Sequence, residues 1–391
     1  MHFKKITDIE LKNKIIFIRT DMNVPIKNGK ITDDTRIIAS LKTIKYALTS
    51  GAKVIIATHL GRPTEGTVAS EDSVEIIAST LAEIFGFTIP VIKSLDNKII
   101  FPESNLVMLE NVRCNIGEKA NSMALGKKYA NLCDIFVHDA FATAHRAEAS
   151  TDAVGRNAKI VCAGLLMSSE IEALTKAILA PEKPIVAIVA GSKVSTKLPI
   201  LENLANRVDY LIVGGGILNT FLLANGSTIG KSLVEKELVS DAQKIMENMK
   251  KRNAAVPLPD DVIVANEFSP DALAQEKPLT QVNDSDMILD IGHNFADKLA
   301  TIIATAKTII WNGPVGVFEF DQFATGTKTI ANAIANSRAF SLAGGGDTIA
   351  AINKFNLFDK ISYVSTAGGA LLEFLEGKEL PALTLLAEYS K

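Results

Sequence analysis

Residues 14–60 read KIIFIRTDMNVPIKNGKITDDTRIIASLKTIKYALTSGAKVIIATHL, and this stretch decides the fold. The β-branched apolar run KIIFIR is typical of a buried strand. In the later segment DTRIIASLKTIKYALTSG, apolar residues recur at helical spacing and the pattern ends at Gly51. A second apolar run, KVIIATHL, then begins. A strand, a helix and another strand make a βαβ unit, so this stretch predicts parallel pairing.

The same alternation continues along the rest of the chain. Further apolar runs are NLVMLEN, DIFVHDAF, PIVAIVAG, YLIVGGG, DDVIVA, MILDIG, TIIWNG, RAFSLAGGG and ISYVSTAGG. A length of 391 residues exceeds what one core usually supports. We therefore expect an α/β protein of two lobes, each a mostly parallel, doubly wound sheet flanked by helices, with a cleft and a hinge between them.

The domain boundaries follow from one helical segment. Residues 168–184, SSEIEALTKAILAPEKP, have the pattern of a capped helix that ends in prolines, and they lie between two series of strands. We place the first domain at residues 1–164, the interdomain helix and hinge at 165–184, and the second domain at 185–377. The tail, about residues 378–391, is too short for a unit of its own.

Charge is distributed unevenly although the total is small. The net charge is −3, which argues against nucleic-acid and membrane-surface partners. Residues 1–164 carry 21 Lys and Arg against 18 Asp and Glu, a net +3, whereas the remainder carries 20 against 26, a net −6. Six of the nine arginines lie in the first part, and arginine suits the recognition of carboxylates and phosphates.

The cysteines and the apolar runs indicate the cellular compartment in which the protein is expected. Cys114, Cys133 and Cys162 are odd in number and lack metal-type spacing, so we expect neither a disulfide framework nor a zinc site. The amino-terminal segment has no apolar signal region, and every apolar run is shorter than a membrane span. We expect a cytoplasmic protein.

Polar side chains follow four predicted strands of the first half, in RTDMNVP, THLGRP, ENVRCN and HDAFATAHR. Ligands of open parallel sheets bind at the carboxyl ends of the strands. The side chains delivered there are Asp21, Asn23, His59, Arg62, Arg113, His145 and Arg146. Arg36 lies at the start of the first helix, where a helix N-terminus also favours an anion. A single arginine is more often a surface ion-pair partner, but this convergence predicts a site for a small, multiply charged anion, with the histidines assigned to binding.

Glycine-rich turns follow the strands of the second half, in AGSKVSTK, GGGILNTF, WNGPVGVFE, AGGGDT and STAGGA. Glycine lets backbone amides approach phosphates closely, so these turns predict a nucleotide site. Asp347, in the turn at residues 344–348, is placed to hold a phosphate-bound Mg²⁺. If VSTK begins a helix, Lys193 and Lys197 share one face near the phosphates; a solvated lysine face is the alternative.

Two glycine motifs fail their patterns. GSTIGKS at residues 226–232 is one residue short of a P-loop and follows no predicted strand. GGGILN has Asn219 where the dinucleotide fingerprint needs glycine, which argues against an NAD enzyme.

Eight motifs in order resemble those of the phosphoglycerate kinase family, from about residue 15 to residue 381. They are RTDMNVPIKNGKITDDTRI, HLGRP, ENVR, AHRAEAS, GSKVSTKL, WNGPVGVFE, GGGDT and STAGGALLEFLEGK. The resemblance implies phosphoryl exchange between ATP and 3-phosphoglycerate, giving ADP and 1,3-bisphosphoglycerate in glycolysis, with Mg²⁺ on the nucleotide. It also implies two lobes that close and a C-terminal tail that returns to the first lobe. A two-lobed enzyme with a hinge is expected to work as a monomer.

The resemblance further implies roles for individual residues. 3-Phosphoglycerate is expected to bind through Asp21, Met22, Asn23, Arg36, His59, Leu60, Gly61, Arg62, Arg113 and Arg146. The nucleotide is expected to bind through Lys197, Gly214, Asn312, Glu319 on the ribose, Gly345, Gly346, Asp347 near Mg²⁺, and Thr348. Arg36, Lys193, Lys197, Gly345 and Gly368 are the expected catalytic residues.

Three positions depart from the family pattern. Glu148 stands where histidine is common, and we expect it either to weaken anion binding or to point to solvent. Ala367 stands where glycine is usual and is expected to restrict its turn, while His293 replaces a common proline with less effect. Two alternatives stay open on the residues: a non-catalytic nucleotide-binding protein on this fold, and an NAD-dependent dehydrogenase.

Overall fold

The computed structural model describes residues 2–390. The chain divides into two compact units, Met1–Glu172 with Glu379–Lys391, and Ala173–Lys378. The C-terminal tail therefore belongs to the first unit.

The first unit is built on a six-stranded sheet. The strands of the whole unit are β1 (Ile15–Thr20), β2 (Ile26–Lys27), β3 (Lys30–Ile31), β4 (Lys53–Ala57), β5 (Val91–Ile92), β6 (Leu106–Leu109), β7 (Ile135–Asp139) and β8 (Val161–Ala163). The sheet has the order β5-β6-β4-β1-β7-β8, and all its neighbours are parallel. Strands β2 and β3 form a separate hairpin, whose Asn28-Gly29 turn has φ of 51° and 69°. Both residues adopt the left-handed backbone that a two-residue hairpin turn requires.

Helices cover this sheet. They are α1 (Thr35–Thr49), α2 (Glu75–Phe85), α3 (Met123–Ala130), α4 (Val154–Asn157), α5 (Leu165–Leu174) and, from the tail, α13 (Pro381–Glu388). The predicted end of α1 is observed, because Gly51 follows with φ of 78°. Apolar residues of α1 and α2 pack on the central strands in one buried cluster that includes Ile37, Ile44 and Ile77.

Helix α5 begins earlier than the sequence predicts. It starts at Leu165 rather than near residue 168, and a π-helical turn, Thr175–Leu179, continues it. The reason is a long-range contact: the backbone N–H of Met167 donates to the Asp139 carboxylate at 3.0 Å. A buried side chain from β7 thus supplies the acceptor that a local capping residue would otherwise provide.

The second unit contains two sheets. Its strands are β9 (Ile185–Ala190), β10 (Tyr210–Gly214), β11 (Asp261–Ala265), β12 (Gln275–Pro278), β13 (Met287–Ile291), β14 (Thr308–Asn312), β15 (Phe340–Gly344) and β16 (Tyr363–Ser365). Five of them form a parallel sheet in the order β10-β9-β14-β15-β16. Its helices are α6 (Leu198–Ala205), α7 (Gly215–Ala224), α8 (Val239–Lys251), α9 (His293–Thr305), α10 (Thr325–Asn336), α11 (Gly346–Lys354) and α12 (Gly368–Leu375). The predicted α/β class, with parallel sheets flanked by helices, is confirmed.

The runs DDVIVA and MILDIG do not join a parallel sheet as predicted. They form β11 and β13, which pair antiparallel in a small sheet of order β12-β11-β13. The described segment between them, residues 266–286, carries β12 and a short 3₁₀ turn rather than a crossover α-helix. Parallel pairing needs such a crossover, so the connection, not the strand composition, dictates the antiparallel arrangement.

Two findings concern the whole described chain. Within residues 2–390, no helix is long and apolar enough to cross a membrane. The three cysteines are free thiols.

The C-terminal helix α13 is a structural part of the first unit. Leu385 is fully buried, and a methyl group added at Gly155 would overlap its side chain. The Ala382 N–H donates to the Ala144 carbonyl at 3.2 Å, and Arg156 pairs with Glu388 at 3.4 Å.

Leu385→Ala should lower the free energy of unfolding by about 2–5 kcal/mol, because it removes buried methyl groups and leaves a cavity. Leu273→Ala is the matched control, since Leu273 is 83% exposed and should change stability by less than about 0.5 kcal/mol. Urea denaturation followed by circular dichroism measures both. Equal effects of the two substitutions would contradict the packing of α13.

Candidate active site

Four neighbouring strands of the first unit end at one edge of the sheet. Strands β6, β4, β1 and β7 are adjacent and parallel, so their carboxyl ends lie side by side. Asp21 follows β1, His59 follows β4, and Arg113 follows β6. We call this row the anion edge, defined by Asp21, Arg36, His59, Arg113 and Arg146.

Asp21 and Arg36 form the best-aligned ion pair of the anion edge. Arg36 Nη1 donates to Asp21 Oδ2 at 2.8 Å, and the carboxylate is buried while the guanidinium is half-buried. The other carboxylate oxygen lies 3.9 Å from His59 Nδ1. Arg36 is on the first turn of α1, so its charge and the positive end of the helix dipole coincide.

Arg113 and Arg146 share a carboxylate. Arg113 is buried; its Nη1 donates to the Gly61 carbonyl at 3.0 Å, and its Nη2 lies 3.5 Å from Glu148 Oε1. Arg146 is exposed, with Nη1 4.0 Å from the same oxygen. Glu148 is only 6% exposed, so the expectation that it points to solvent is wrong. Its backbone lies beside the anion edge and its side chain turns inward.

The other residues that the sequence predicts to bind 3-phosphoglycerate hold the strand ends together. Asn23 Oδ1 accepts from the Gly61 N–H at 2.9 Å, which ties the turn after β1 to the turn after β4. Met22 and Leu60 have their side chains in the hydrophobic core. The Met22 N–H donates to Thr58 Oγ1 at 2.9 Å, and the Leu60 carbonyl accepts from Asn111 Nδ2 at 2.8 Å. Any contact of these two residues with a ligand would have to be made by the backbone.

Arg62 forms no ion pair within the cluster, whereas His145 is attached to it through Arg146. Arg62 is exposed and makes no ion pair with the described residues 2–390. His145 is half-buried, and its Nε2 accepts from Arg146 Nε at 3.2 Å. The strand-end rule places both residues at the correct edge, but it does not determine the direction of a side chain on a loop.

Arg19 is a member of the site that the strand-end pattern misses. It lies within β1 and is fully buried, with Nε donating to Ser150 Oγ at 2.8 Å and Nη2 3.4 Å from His59 Nδ1. A guanidinium only donates, so His59 Nδ1 must accept and its proton is on Nε2. The signal available in the sequence was a charged residue inside an apolar strand, which rarely lies there without a role.

His59 is a neutral donor in a positive environment. Burial lowers its pKa well below the usual value, and the charges of Arg19, Arg113, Arg146 and Arg36 lower it further. A neutral imidazole with a fixed Nε2–H can donate a hydrogen bond to an anion without needing a counter-charge. The edge as a whole offers guanidinium forks and one neutral donor, which suits a phosphate or carboxylate.

Lys197 is held at the carboxyl edge of the parallel sheet in the second unit. Its Nζ donates to the Ala190 carbonyl at 2.6 Å and to Asn312 Oδ1 at 2.7 Å. Burial lowers the pKa of this ammonium group to about 8, and the charge of Asp347 acts in the opposite direction. Asn312 in turn donates to the Gly344 carbonyl at 2.7 Å. The ends of β9, β14 and β15 are therefore joined through one amide and one ammonium group.

The expectation that Lys193 and Lys197 share a helical face is wrong. Helix α6 begins only at Leu198, so Lys197 is its N-cap and Lys193 lies in an exposed loop. The loop is fixed by Glu235, which accepts from the N–H of Ser195 at 2.8 Å and from its hydroxyl at 2.6 Å. This distant carboxylate satisfies donors that a helix would otherwise use internally, so the helical pattern is not realised.

The glycine turn after β15 leads directly into α11. Gly345 is the N-cap with φ of 98°, a conformation that favours glycine, and Asn312 Nδ2 would lie 2.8 Å from an added Cβ. No side chain of the described residues caps this helix, so its first amides face outward at the positive helix end. Asp347 is exposed there, while buried Thr348 accepts from the Gly313 N–H at 2.8 Å. Gly346 has open space around it.

Other glycines and one carboxylate complete the predicted nucleotide set. Gly214 ends β10, where an added Cβ would lie 2.5 Å from Val315 Cα. Glu319 is exposed, and its carbonyl accepts from Lys354 at 3.5 Å. Gly368 begins α12 after Ala367, whose φ of −90° is ordinary for alanine. Ala367 therefore fits this turn without backbone strain.

The donor set fits a metal held through a nucleotide. Within residues 2–390, no group of three or more His, Cys, Asp or Glu side chains could hold an ion by itself. Mg²⁺ usually binds one or two carboxylates together with substrate phosphates, and Asp347 supplies one carboxylate at a helix N-terminus.

Comparisons with known proteins agree with the motifs. A model of the family described as phosphoglycerate kinase matches residues 6–378. The structure of phosphoglycerate kinase from Coxiella burnetii is 51% identical in sequence, has a TM-score of 0.97, and the match covers 100% of each chain. The phosphoglycerate kinase of Pyrococcus horikoshii OT3 is 34% identical, with a TM-score of 0.77 and 99% of each chain covered.

These matches support the motif resemblance and neither of the two alternatives, the non-catalytic protein or the dehydrogenase. Members of the matched family are phosphotransferases that act on the carboxyl group of 3-phosphoglycerate. A match over nearly the whole length, with identity of 51% to one solved member, extends this to the present sequence. The chain therefore belongs to the phosphoglycerate kinase family.

Proposed function

We propose that this chain exchanges a phosphoryl group between ATP and 3-phosphoglycerate, with the acceptor bound at the anion edge and the nucleotide at the glycine turns. The observation that carries the proposal is the set of guanidinium groups around neutral His59. A small acid with one phosphate and one carboxylate matches that set in charge and in its hydrogen-bond acceptors. Asn23 and Arg62 lie on adjoining turns and complete the acceptor set that we propose.

The chemistry requires positioning and charge stabilisation rather than a general base. A carboxylate is already a deprotonated nucleophile, so in-line attack on the terminal phosphate needs no proton removal. Arg36 and Lys197 are the cations that we assign to the charge that develops on the moving group, with Lys193 approaching from its loop. Gly345 and Gly368 would contribute backbone N–H groups at the starts of α11 and α12.

The nucleotide would lie along the carboxyl edge of β9, β14 and β15. We assign the phosphates to Lys197 and the first turn of α11, the ribose to Glu319, and the base to the surroundings of Gly214. Mg²⁺, when bound with the nucleotide through Asp347, would neutralise phosphate charge.

The separate placement of the two ligands divides the chain into two functional domains in this proposal. We propose residues 1–164 with the tail as the acceptor domain and residues 185–377 as the nucleotide domain. Transfer requires the two ligands to come into line, and residues 165–184 are the proposed hinge. Free thiols and the absence of a membrane-crossing helix within residues 2–390 are compatible with our proposal of a cytoplasmic monomer.

Arg36→Ala should lower kcat for ATP-dependent phosphorylation of 3-phosphoglycerate by about 10²-fold or more, because it removes a cation from the transition state. Binding of the nucleotide should be unchanged. Arg156→Ala is the matched control, since Arg156 pairs with Asp152 and Glu388, neither of which belongs to the anion edge. Unchanged turnover in Arg36→Ala would refute its role, and NAD binding by the wild type without kinase activity would refute the function.

Nucleotide affinity should depend on the charge of Lys197. Its pKa of about 8 in the free protein means that the ammonium is charged at pH 7 and is lost as the pH rises through 8. The dissociation constant of ADP should therefore rise above pH 8, by up to about tenfold per pH unit. Lys197→Met should bind more weakly at pH 7 and lose this step. Calorimetric titrations from pH 7 to 9.5 test it, and parallel pH profiles of the two proteins would contradict it.

A further inference from the structure

Glu148 is a buried carboxylate whose hydrogen bonds are incomplete. Its Oε1 lies 3.5 Å from Arg113 and 4.0 Å from Arg146, both longer than the 2.7–2.9 Å typical of a charge-assisted hydrogen bond. Its Oε2 has no partner among the described residues, and neither has Arg113 Nε. A buried carboxylate and a buried guanidinium therefore face each other with bonding capacity left on both.

The backbone prevents Glu148 from moving freely away. The Glu148 N–H donates to Thr151 Oγ1 at 3.0 Å, and the Glu148 carbonyl accepts from the Asp152 N–H at 2.8 Å. This residue precedes the π-helical turn Ala149–Ala153, all of whose residues are buried. The carboxylate is thus fixed beside Arg113 and Arg146 by the fold rather than by an optimal ion pair.

We propose that Glu148 is an internal competitor for the anion edge: its charge partly neutralises Arg113 and Arg146 and so lowers the affinity for the acceptor anion. This inference rests on the proposed function, because it concerns the same acceptor site. An arriving phosphate or carboxylate has to bind these guanidinium groups beside a fixed negative charge. The cost is electrostatic and acts on acceptor binding, while the nucleotide is unaffected.

A purely structural role for Glu148 gives the opposite expectation. If the carboxylate served only to hold Arg113 in place, its neutralisation would misplace the guanidinium and weaken acceptor binding. An internal competitor gives tighter acceptor binding once its charge is removed. The sign of the change in KM therefore separates the two roles.

The experiment compares Glu148→Gln, which keeps shape and removes charge, with wild type. The KM for 3-phosphoglycerate should fall by about tenfold, with KM for ATP unchanged and kcat equal or lower. Glu148→Asp withdraws the charge by one methylene, so its KM should lie between the two. Asp152→Asn is the matched control, since Asp152 is also a buried carboxylate of this segment but pairs with Arg156; its KM should stay at the wild-type value.

Binding of inorganic phosphate, measured by calorimetry, separates this inference from the proposed function. Suppose that the wild type lacks kinase activity but Glu148→Gln binds phosphate about tenfold more tightly than the wild type does. The proposed function is then refuted, while the role of Glu148 as an internal competitor is supported. A KM for 3-phosphoglycerate in Glu148→Gln that is equal to or higher than that of the wild type, together with equal or weaker phosphate binding, would refute the role of Glu148 as an internal competitor. Should Glu148→Gln fail to fold, the test uses Glu148→Asp: a lower KM for 3-phosphoglycerate and tighter phosphate binding than in the wild type support the competitor role, and the opposite changes refute it.

Discussion

The site depends on holding several guanidinium groups beside one another at the edge of a single sheet. Like charges that lie close together repel, and burial removes the water that would screen the charges of Arg19 and Arg113. The fold places a compensating group beside three of these cations: Asp21 beside Arg36, Glu148 beside Arg113, and hydroxyl and carbonyl oxygens beside Arg19. Arg146 lies 4.0 Å from the Glu148 oxygen that Arg113 also contacts. Four arginines stand against two carboxylates in this set, so the edge keeps a net positive charge.

The second unit also holds a cation at the edge of its parallel sheet, but with fewer charges around it. One ammonium group, on Lys197, is half-buried at the sheet edge and donates to carbonyl and amide oxygens rather than to a close carboxylate. Its counter-charge, Asp347, lies at the start of α11, where a nucleotide with its metal would also be expected to bind. In both units, parallel strands bring to one edge side chains that are far apart in the sequence.

Much of the fold could be predicted because local pattern and final structure agree. The βαβ alternation and the Gly51 stop are both local signals, and both are observed. The antiparallel β11 and β13 were mispredicted because a buried strand has the same composition in either orientation. The start of α5 was mispredicted because its capping acceptor, Asp139, comes from a strand that is distant in sequence.

The site was predictable to the extent that it depends on strand ends. Asp21, His59 and Arg113 are at the edge that the motifs indicate, whereas Arg62 is exposed on its loop and forms no ion pair with the described residues. Lys193 was misjudged because Glu235 holds its loop in a non-helical form, and the inward turn of Glu148 depends on a buried π-helical segment. These are tertiary contacts, which a single sequence does not encode as a local pattern.

The central claim is that acceptor and nucleotide bind to different units through independent sets of charges. Calorimetric titration of Asp347→Ala with Mg-ADP and, separately, with 3-phosphoglycerate tests it most directly. The account predicts that Mg-ADP binding weakens by about tenfold or more, because a carboxylate toward the metal is lost, while 3-phosphoglycerate binds as in the wild type. Equal weakening of both ligands would contradict it.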